Sequence, residues 1–189
     1  MQDVKKKAVE AALNLAVEQG WRDVSMSAIA VRAGVDLDVL YDYFDDRDDV
    51  LRQYGRMIDS AVIGAFQGQE VEGESPRERL FDILMERFDV LNDHRDAVLE
   101  IMYFYRFDPK KGALALPHLA RSMAWMMDLA GLQDNGWRGG VKVLGLTALY
   151  LDTAFRVWSK DDSPDLTKTM AALDRALNRA EQIVGTMGL

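Results

Sequence analysis

Seven aspartates and a single arginine lie within the stretch GVDLDVLYDYFDDRDDVL, residues 34–51. Carboxylates in this number could bind a metal cation, cap a helix or accept a hydrogen bond from the amino group of cytosine, and they would repel phosphate. The DDRDD part lacks the glycine and the ligand order of a calcium loop. We therefore interpret it as the solvated, capped start of a helix, where the helix dipole favours anions.

Residues for other kinds of chemistry are scarce. The chain has no cysteine, which excludes disulfides, a thiolate metal site and a cysteine nucleophile. His94 and His118 are not spaced as metal ligands on a helix, and the patterns HExxH and GxSxG and a glycine-rich phosphate loop are absent. We predict that the protein is not an enzyme and that it uses no metal and no cofactor.

Composition favours a soluble protein with a substantial core. Of 189 residues, 49% are hydrophobic and 29% are charged, and the net charge is −8. The N-terminus does not have the pattern of a signal peptide, and no apolar run reaches the roughly 18 residues that a membrane span needs. We expect a cytoplasmic protein without membrane insertion. Its acidity argues against nonspecific affinity for polyanions, although a small head can be locally basic.

Apolar residues recur at three- and four-residue steps along the chain, which predicts an all-α fold of about nine helices. A polar linker, GQEVEGESP, separates the fourth helix from the fifth. We predict a helix-turn-helix domain of three helices at residues 1–46 and a larger helical domain for ligand binding and dimerisation at 47–189. The expected helices cover 3–19, 27–33, 37–44, 46–66, 75–94, 95–106, 114–131, 137–159 and 165–185.

The second and third helices have the pattern of a helix-turn-helix. Ala30 and Ala33 permit close approach of the two helices, Gly34 makes the sharp turn, and Val35 fills the angle between them. Ser25 or Ser27 can cap the second helix, Asp36 the third, and Asp45 or Asp46 the fourth. The outer side chains of the third helix would then project into a major groove. Five positions are expected to face inward, namely Ile29, Ala30, Val35, Leu40 and Phe44.

The stretch AALNLAVEQGWRDVSMSAIAVRAGVDLDVLYDYFDDRDDVL resembles the N-terminal domain of the TetR family of transcriptional regulators. The similarity lies in the alanine-rich first helix, Gly20-Trp21, Ser25 at a usual threonine position, AGV at 33–35 and LYxYF at 40–44. It covers about fifty residues. The resemblance implies a homodimer that binds operator DNA through its N-terminal reading head (residues 1–60) and responds to a small apolar effector. A regulator of this type, most often a repressor, is the first hypothesis.

Three positions of the reading head depart from the family's usual residues, and two of them, Asp38 and Asp42, are expected to face outward. The family usually has Ser or Thr after AGV and a small residue two positions on, whereas this chain has Asp36 and Asp38. Asp42 occupies a site that is often basic or neutral, while Arg47 keeps the charge of a lysine that commonly contacts phosphate. Residues 1–60 hold eight basic and twelve acidic side chains, a net charge of −4. We therefore predict a head that binds DNA weakly or with unusual specificity.

Several of the candidate DNA-binding residues have a second interpretation. Tyr41 and Tyr43 could donate hydroxyl groups to phosphates, or they could only hold the third helix to its neighbours. The three lysines near the N-terminus could form a basic arm along the backbone or a frayed, solvated terminus. The candidate DNA-binding residues are Lys5, Lys6, Lys7, Ser25, Ser27, Asp36, Leu37, Asp38, Val39, Tyr41, Asp42, Tyr43 and Arg47.

Methionine and aromatic side chains are frequent in EIMYFYRF (100–107) and MAWMM (123–127). They could line a cavity for a hydrophobic ligand, since both kinds of side chain make adaptable apolar walls. The alternative is a packed core without a cavity. The candidate ligand-binding residues are Ile83, Phe88, Met102, Tyr103, Met123, Met126, Met127 and Tyr150.

The last two predicted helices carry broad apolar stripes. Two such helices from each subunit could form an intersubunit four-helix bundle, and the alternative is burial within one subunit. The candidate dimer residues are Val141, Leu144, Ala148, Leu151, Phe155, Met170, Leu173 and Leu177.

The C-terminal stretch GLTALYLDTAFRVWSKDDSPDLTKTMAALDRAL supports a second hypothesis. It is similar to a branch of the TetR fold whose members bind lipids and assist ubiquinone biosynthesis and have lost DNA recognition. That resemblance implies a lipid-binding accessory protein with weak or no DNA binding.

Overall fold

A computed structural model describes residues 2–68, 75–132 and 136–187. Within these ranges the chain forms nine α-helices and two short 3-10 turns, Trp21–Asp23 and Trp158–Lys160, and no strand, which confirms the predicted fold class. None of these helices is long and apolar enough to cross a membrane. The helices are α1 Gln2–Gln19, α2 Met26–Ala33, α3 Leu37–Tyr41, α4 Arg47–Phe66, α5 Pro76–Asn92, α6 Arg95–Arg106, α7 Pro109–Leu129, α8 Trp137–Arg156 and α9 Thr167–Met187.

Three helices differ clearly from their predicted bounds. The third was expected to reach Phe44, but α3 ends at Tyr41, because the amides of Tyr43 and Phe44 both donate to the carbonyl of Leu40 and close a tight turn. The seventh was expected from residue 114, but α7 begins at Pro109, since a proline in the first helical position loses no hydrogen bond. The eighth was expected to reach residue 159, but α8 ends at Arg156, just before the 3-10 turn Trp158–Lys160. Much of the predicted linker (69–74) lies outside the described residues, as do residues 133–135 between α7 and α8.

The chain divides into two compact units. The first comprises residues 1–60 and 91–115, and the second comprises residues 61–90 and 116–189. The first unit therefore holds α1–α3, the N-terminal part of α4, all of α6 and the beginning of α7. The helix-turn-helix shares this unit with α6, whereas the domain boundary that we expected after residue 46 stays a prediction.

Small residues on α1 allow the helices of the first unit to approach closely. Ala8, Ala12 and Ala16 form a buried stripe at four-residue spacing, and α1 packs against both α2 and α6. Gly20 ends α1 with a φ of 81°, a backbone conformation that side chains disfavour. A Cβ at this position would also lie 3.2 Å from Oε1 of Glu100 on α6. Glycine at residue 20 therefore serves both the turn and the packing of α6.

The second unit is built around aromatic and methionine side chains. Phe88 on α5 stacks on Tyr150 of α8 with ring centroids 4.8 Å apart, and its ring lies 6.2 Å from that of Trp158. Met123 and Met126 of α7 are fully buried in this unit. The helix start signals predicted for α5 are present, because Ser75 and Glu78 exchange side-chain hydrogen bonds with each other's amides.

A buried carboxylate organises the entry into α9. Asp161 accepts hydrogen bonds from the amide and the hydroxyl of Thr169, both at 2.7 Å, and from the amide of Ser163 at 3.2 Å. Burial opposes ionisation of Asp161, but the hydrogen bonds from Ser163 and Thr169 outweigh it and lower its pKa to about 2. The ionised form of Asp161 therefore stabilises the first turn of α9.

Replacing Asp161 by Asn should lower the free energy of unfolding at pH 7 by about 2 kcal/mol, because an amide group replaces one acceptor oxygen. The folded pKa of about 2 lies below the ordinary value of 3.8. The wild-type protein should therefore lose this contribution as the pH falls from about 4 towards 2, and the difference between the two proteins should shrink. Urea unfolding followed by circular dichroism at pH 7 and at pH 3 measures this. Asp93→Asn, at an exposed position outside this segment, is the control, and a difference that does not change with pH would contradict the assignment.

Candidate nucleic-acid interface

The cap of α2 and the turn between α2 and α3 lie at the residues that the sequence predicts. Ser25 caps α2, because its hydroxyl oxygen accepts a hydrogen bond from the amide of Ala28 at 3.2 Å, and the hydroxyl of Ser27 lies 3.0 Å away. Gly34 ends α2 in the left-handed conformation with a φ of 65°. The amide of Val35 then donates to the carbonyl of Ala30. These local bonds fix the turn between α2 and α3.

The inward and outward sides of the motif separate as predicted. Ile29, Ala30, Leu40 and Phe44 are buried, and Val35 is half-buried. On the outward side, Asp36, Leu37, Asp38, Tyr41 and Asp42 are exposed, as are Ser25 and Ser27, while Val39 and Tyr43 are half-buried.

The acids beside α3 play different local roles from those expected. Asp36 stands at the N-cap position of α3, yet its side chain makes no capping bond, so its predicted role as a cap is wrong. Asp38 accepts a hydrogen bond from the amide of Val39 at 2.8 Å. One carboxylate oxygen of Asp38 is thus engaged by α3 itself, and Asp42 is exposed at the end of the helix.

The start of α4 is a reciprocal cap made of two aspartates. Asp46 accepts a hydrogen bond from the amide of Asp49 at 2.7 Å, and Asp49 accepts one from the amide of Asp45 at 2.8 Å. Arg52 donates to Asp49 and lies 3.6 Å from Asp46. Burial opposes ionisation of Asp49, but the bonds from Asp45 and Arg52 lower its pKa. Asp46 is therefore the cap, whereas Asp45 contributes only its amide.

Arg47 was expected to contact DNA phosphate, but its guanidinium is bound within the first unit. Nη1 donates to the carbonyls of Trp21, Arg22 and Val24 at 2.7, 2.8 and 2.6 Å. The guanidinium carbon lies 5.3 Å from the ring centroid of Trp21 and 5.4 Å from that of Phe104 on α6. Arg47 thus ties the start of α4 to the 3-10 turn ahead of α2, and a phosphate contact stays a prediction.

Asp48 connects the start of α4 with α6. The hydroxyl of Tyr105 donates to Oδ1 of Asp48 at 2.8 Å. Burial and the bonded carboxylate both raise the pKa of Tyr105 far above its ordinary value of 10. Tyr105 therefore remains a neutral hydrogen-bond donor throughout the physiological pH range.

The three N-terminal lysines lie within α1, so they form neither an extended arm nor a frayed terminus. Lys7 pairs with Asp3 at 2.7 Å, and Lys6 lies 3.8 Å from Glu10, both at helical i,i+4 spacing. The ammonium group of Lys5 lies 5.8 Å from the ring centroid of Tyr43. The structure brings together Lys5 and Tyr43, two candidate DNA-binding residues from different elements.

The candidate ligand-binding residues divide between the two units. Six are buried together in the second unit, namely Ile83, Phe88, Met123, Met126, Met127 and Tyr150. Met102 and Tyr103 lie on α6 in the first unit, where Tyr103 is exposed and packs on Phe107 with ring centroids 4.9 Å apart. The stacked rings of Phe88 and Tyr150 agree with the packed core that we considered as the alternative. A ligand cavity among the six buried residues stays a prediction, and Met102 and Tyr103 do not belong to that group.

Helices α8 and α9 expose most of the predicted dimer residues. Val141, Leu144, Ala148, Phe155 and Met170 are exposed and Leu151 is half-buried. Leu173 and Leu177 are buried within the subunit, which corrects their assignment to the interface.

Sequence reasoning missed two exposed residues of the same helices, Trp137 with 69% exposure and Ile183 with 53%. Trp137 lies one helical turn before Val141, and that spacing could have identified it.

Comparisons with known proteins agree with this geometry. Residues 8–54 match the sequence profile of the bacterial regulatory proteins of the tetR family. The N-terminal domain is that of the TetR family. Solved structures of TetR-family proteins have the same fold over 92 to 94% of this chain. No curated protein sequence matches the chain.

Two solved structures illustrate the likeness of the TetR fold. A TetR transcriptional regulator from Nitrosomonas europaea ATCC 19718 matches with 22% identity and a TM-score of 0.75, covering 94% of this chain and 98% of its own. The Thermus thermophilus TetR-family repressor FadR, solved in complex with lauroyl-CoA, matches with 20% identity and a TM-score of 0.63 and covers 92% of both chains.

Asp46 and Asp36 offer a matched test of the caps. Asp46→Ala should lower the free energy of unfolding by about 1 kcal/mol, because the third amide of α4 loses its side-chain acceptor. Asp36→Ala should change it by no more than a few tenths of a kcal/mol, because no capping bond is lost. Chemical unfolding of both variants measures the difference, and equal losses would contradict the distinction.

Proposed function

We propose that the protein is a dimeric TetR-type transcriptional regulator that binds operator DNA through α2 and α3 and responds to a small apolar ligand. The observation that carries the proposal is the outward side of α3. Leu37, Tyr41 and Asp42 are exposed on a helix whose turn and inner side are fixed by buried contacts. A helix held in this way can enter a major groove without disturbing the core of its unit.

Lys5 on α1 and Tyr43 in the turn after α3 supply groups that can bind the DNA backbone. Lys5 and Tyr43 offer an ammonium group and a hydroxyl on neighbouring surfaces of α1 and the turn after α3. Lysine and tyrosine side chains commonly bind phosphate oxygens and fix the register of a protein on the duplex. In the proposed complex, these two residues bind the backbone beside the groove that α3 enters.

Dimerisation is assigned to the exposed apolar side of α8 and α9. Trp137, Val141, Leu144 and Phe155 follow one another at helical spacing on α8, and Met170 adds to them from α9. Apolar stripes of this length on a surface mark an interaction site, and a symmetric pair of helices can cover itself in a second copy. A dimer would place two heads on a palindromic operator.

The effector is assigned to the second unit, whose methionine and aromatic side chains can repack around an apolar ligand. The similar repressor FadR was solved with lauroyl-CoA, a ligand with a long apolar chain. An acyl chain matches the chemistry of Met123, Met126 and Phe88.

The accessory lipid-binding function remains the second candidate because of the charge of the head. The excess of acids in residues 1–60 opposes the approach of DNA phosphates. Native mass spectrometry that finds a copurified isoprenoid or acyl lipid, together with no DNA shift, would favour this candidate over the regulator.

Operator binding is tested by selecting genomic fragments with the purified full-length protein at low salt. A regulator should enrich a palindromic sequence, and its affinity should fall steeply as salt rises. Recovery of fragments without any shared sequence would rule the regulator out.

Asp42→Asn should raise nonspecific DNA affinity at low salt about 2- to 5-fold, because one carboxylate near the phosphates is removed. Fluorescence anisotropy with a random duplex measures this. Asp93→Asn, which removes the same charge outside the helix-turn-helix, should have a smaller effect. Equal effects of the two variants would mean that Asp42 faces away from DNA.

Leu144→Glu should convert the dimer to a monomer, because it places a charge in the centre of the apolar side of α8. Light scattering coupled to size-exclusion chromatography reads the mass. Leu114→Glu, at another exposed leucine on α7, is the control and should leave the dimer intact. A Leu144→Glu protein that still has the mass of a dimer would show that the interface lies elsewhere.

A further inference from the structure

We propose that Arg47 is a positioning residue of the reading head, which fixes the turn ahead of α2 with the help of Tyr105 and does not bind phosphate. The inference rests on the proposed DNA-binding function and concerns how the chain presents its helix-turn-helix. We call the group Arg47, Trp21, Asp48, Phe104 and Tyr105 the Arg47 clamp.

The hydrogen-bond capacity of Nη1 is used within the protein. This nitrogen carries two N–H groups and lies at 2.6 to 2.8 Å from three carbonyl oxygens, so at least one N–H is shared between acceptors. Nη1 therefore has no donor left for a phosphate oxygen, and the other three N–H groups, on Nη2 and Nε, belong to a guanidinium that is held beside the rings of Trp21 and Phe104. The rings of Trp21 and Phe104 lie within 5.4 Å of the guanidinium carbon and hold the group in place through cation–π contact.

The three carbonyls belong to the segment that leads directly into α2. The last of them, on Val24, precedes Ser25, the residue that caps α2. A shift of Arg47 would therefore shift the cap and the first turn of α2. Because α2 and α3 are joined by a rigid turn at Gly34, the same shift would change the direction in which α3 points.

The clamp also includes two residues of α6, a helix that follows the helix-turn-helix much later in the sequence. Tyr105 donates to the carboxylate of Asp48, the residue next to Arg47, and Phe104 contributes its ring. The side chain of Tyr105 stays protonated, so this bond does not depend on pH near neutrality. Two successive residues of α6 therefore hold two successive residues of α4.

The first test separates positioning from phosphate contact by salt dependence. The probe is the duplex that the wild-type protein selects from genomic fragments. Arg47→Gln should weaken binding about 10-fold while the slope of log K against log salt concentration stays the same. A phosphate contact would instead be revealed by a slope that is smaller by about 0.9, since one counterion fewer is released. That result would overturn the proposal.

The second test uses a variant that removes a single oxygen and no charge. Tyr105→Phe should weaken operator binding about 5-fold, again with an unchanged slope, because the head is less well positioned. Tyr103→Phe, two residues earlier and exposed, is the matched control and should bind as the wild type does. This pair decides the question if Arg47→Gln does not fold by circular dichroism.

An NMR signal reports the position of the turn without DNA. The indole N–H resonance of Trp21, identified by its loss in Trp21→Phe, should shift in Tyr105→Phe and stay in place in Tyr103→Phe. A wild-type protein that selects no operator would refute the proposed function and the inference with it. If the wild type binds its operator and Tyr105→Phe binds it with the same affinity, the inference is overturned but the proposed function is not.

Discussion

The guanidinium of Arg47 is the point on which the arrangement of the first unit depends. It joins the first residue of α4 to three carbonyls of the segment before α2. The rings of Trp21 and Phe104 lie within 5.4 Å of the guanidinium carbon. Arginine suits this position because its planar, permanently charged group can donate at its edge and contact aromatic rings with its faces. A lysine could satisfy carbonyl oxygens but could not make both kinds of contact in one plane. The Arg47 side chain thus joins the elements that meet in this region, where exposed aspartates cannot form an apolar core.

The sequence predicted those features of the fold that depend on interactions between residues close together in the chain. The cap at Ser25, the left-handed turn at Gly34 and the buried positions Ile29 and Leu40 all depend on residues within a few positions of one another. Arg47 could not be assigned in this way, because its acceptors lie 23 to 26 residues earlier in the chain. Asp36 and Asp46 also look alike in sequence, and only the backbone of each helix start decides which carboxylate reaches an amide.

The apolar stripes of α8 and α9 show a second limit of sequence patterns. Both helices have apolar residues on more than one side, since one side packs within the second unit and another is exposed. Leu173 and Leu177 belong to the inner side, whereas Leu144 and Met170 belong to the outer one. Periodicity identifies a residue as apolar and helical, but it cannot tell which partner covers it. The same ambiguity applies to the methionines of α7, which suit a packed core as well as a ligand.

The hydrogen-bond partners of the aspartates distinguish two groups among the acids of the reading head, those that stabilise the start of α4 and those on the outward side of α3. Asp46 and Asp49 are engaged by amides and by Arg52, and Asp48 is engaged by Tyr105, so these carboxylates serve the start of α4. At physiological salt, charges farther than about 8 Å from phosphate are largely screened. In the proposed complex, in which α3 enters the groove, the acids on the outward side of α3 would stand closest to the phosphates. Carboxylates at those positions penalise every duplex but can accept a hydrogen bond from the amino group of cytosine. For a head that binds DNA, they weaken nonspecific binding more than binding to a sequence that offers such donors.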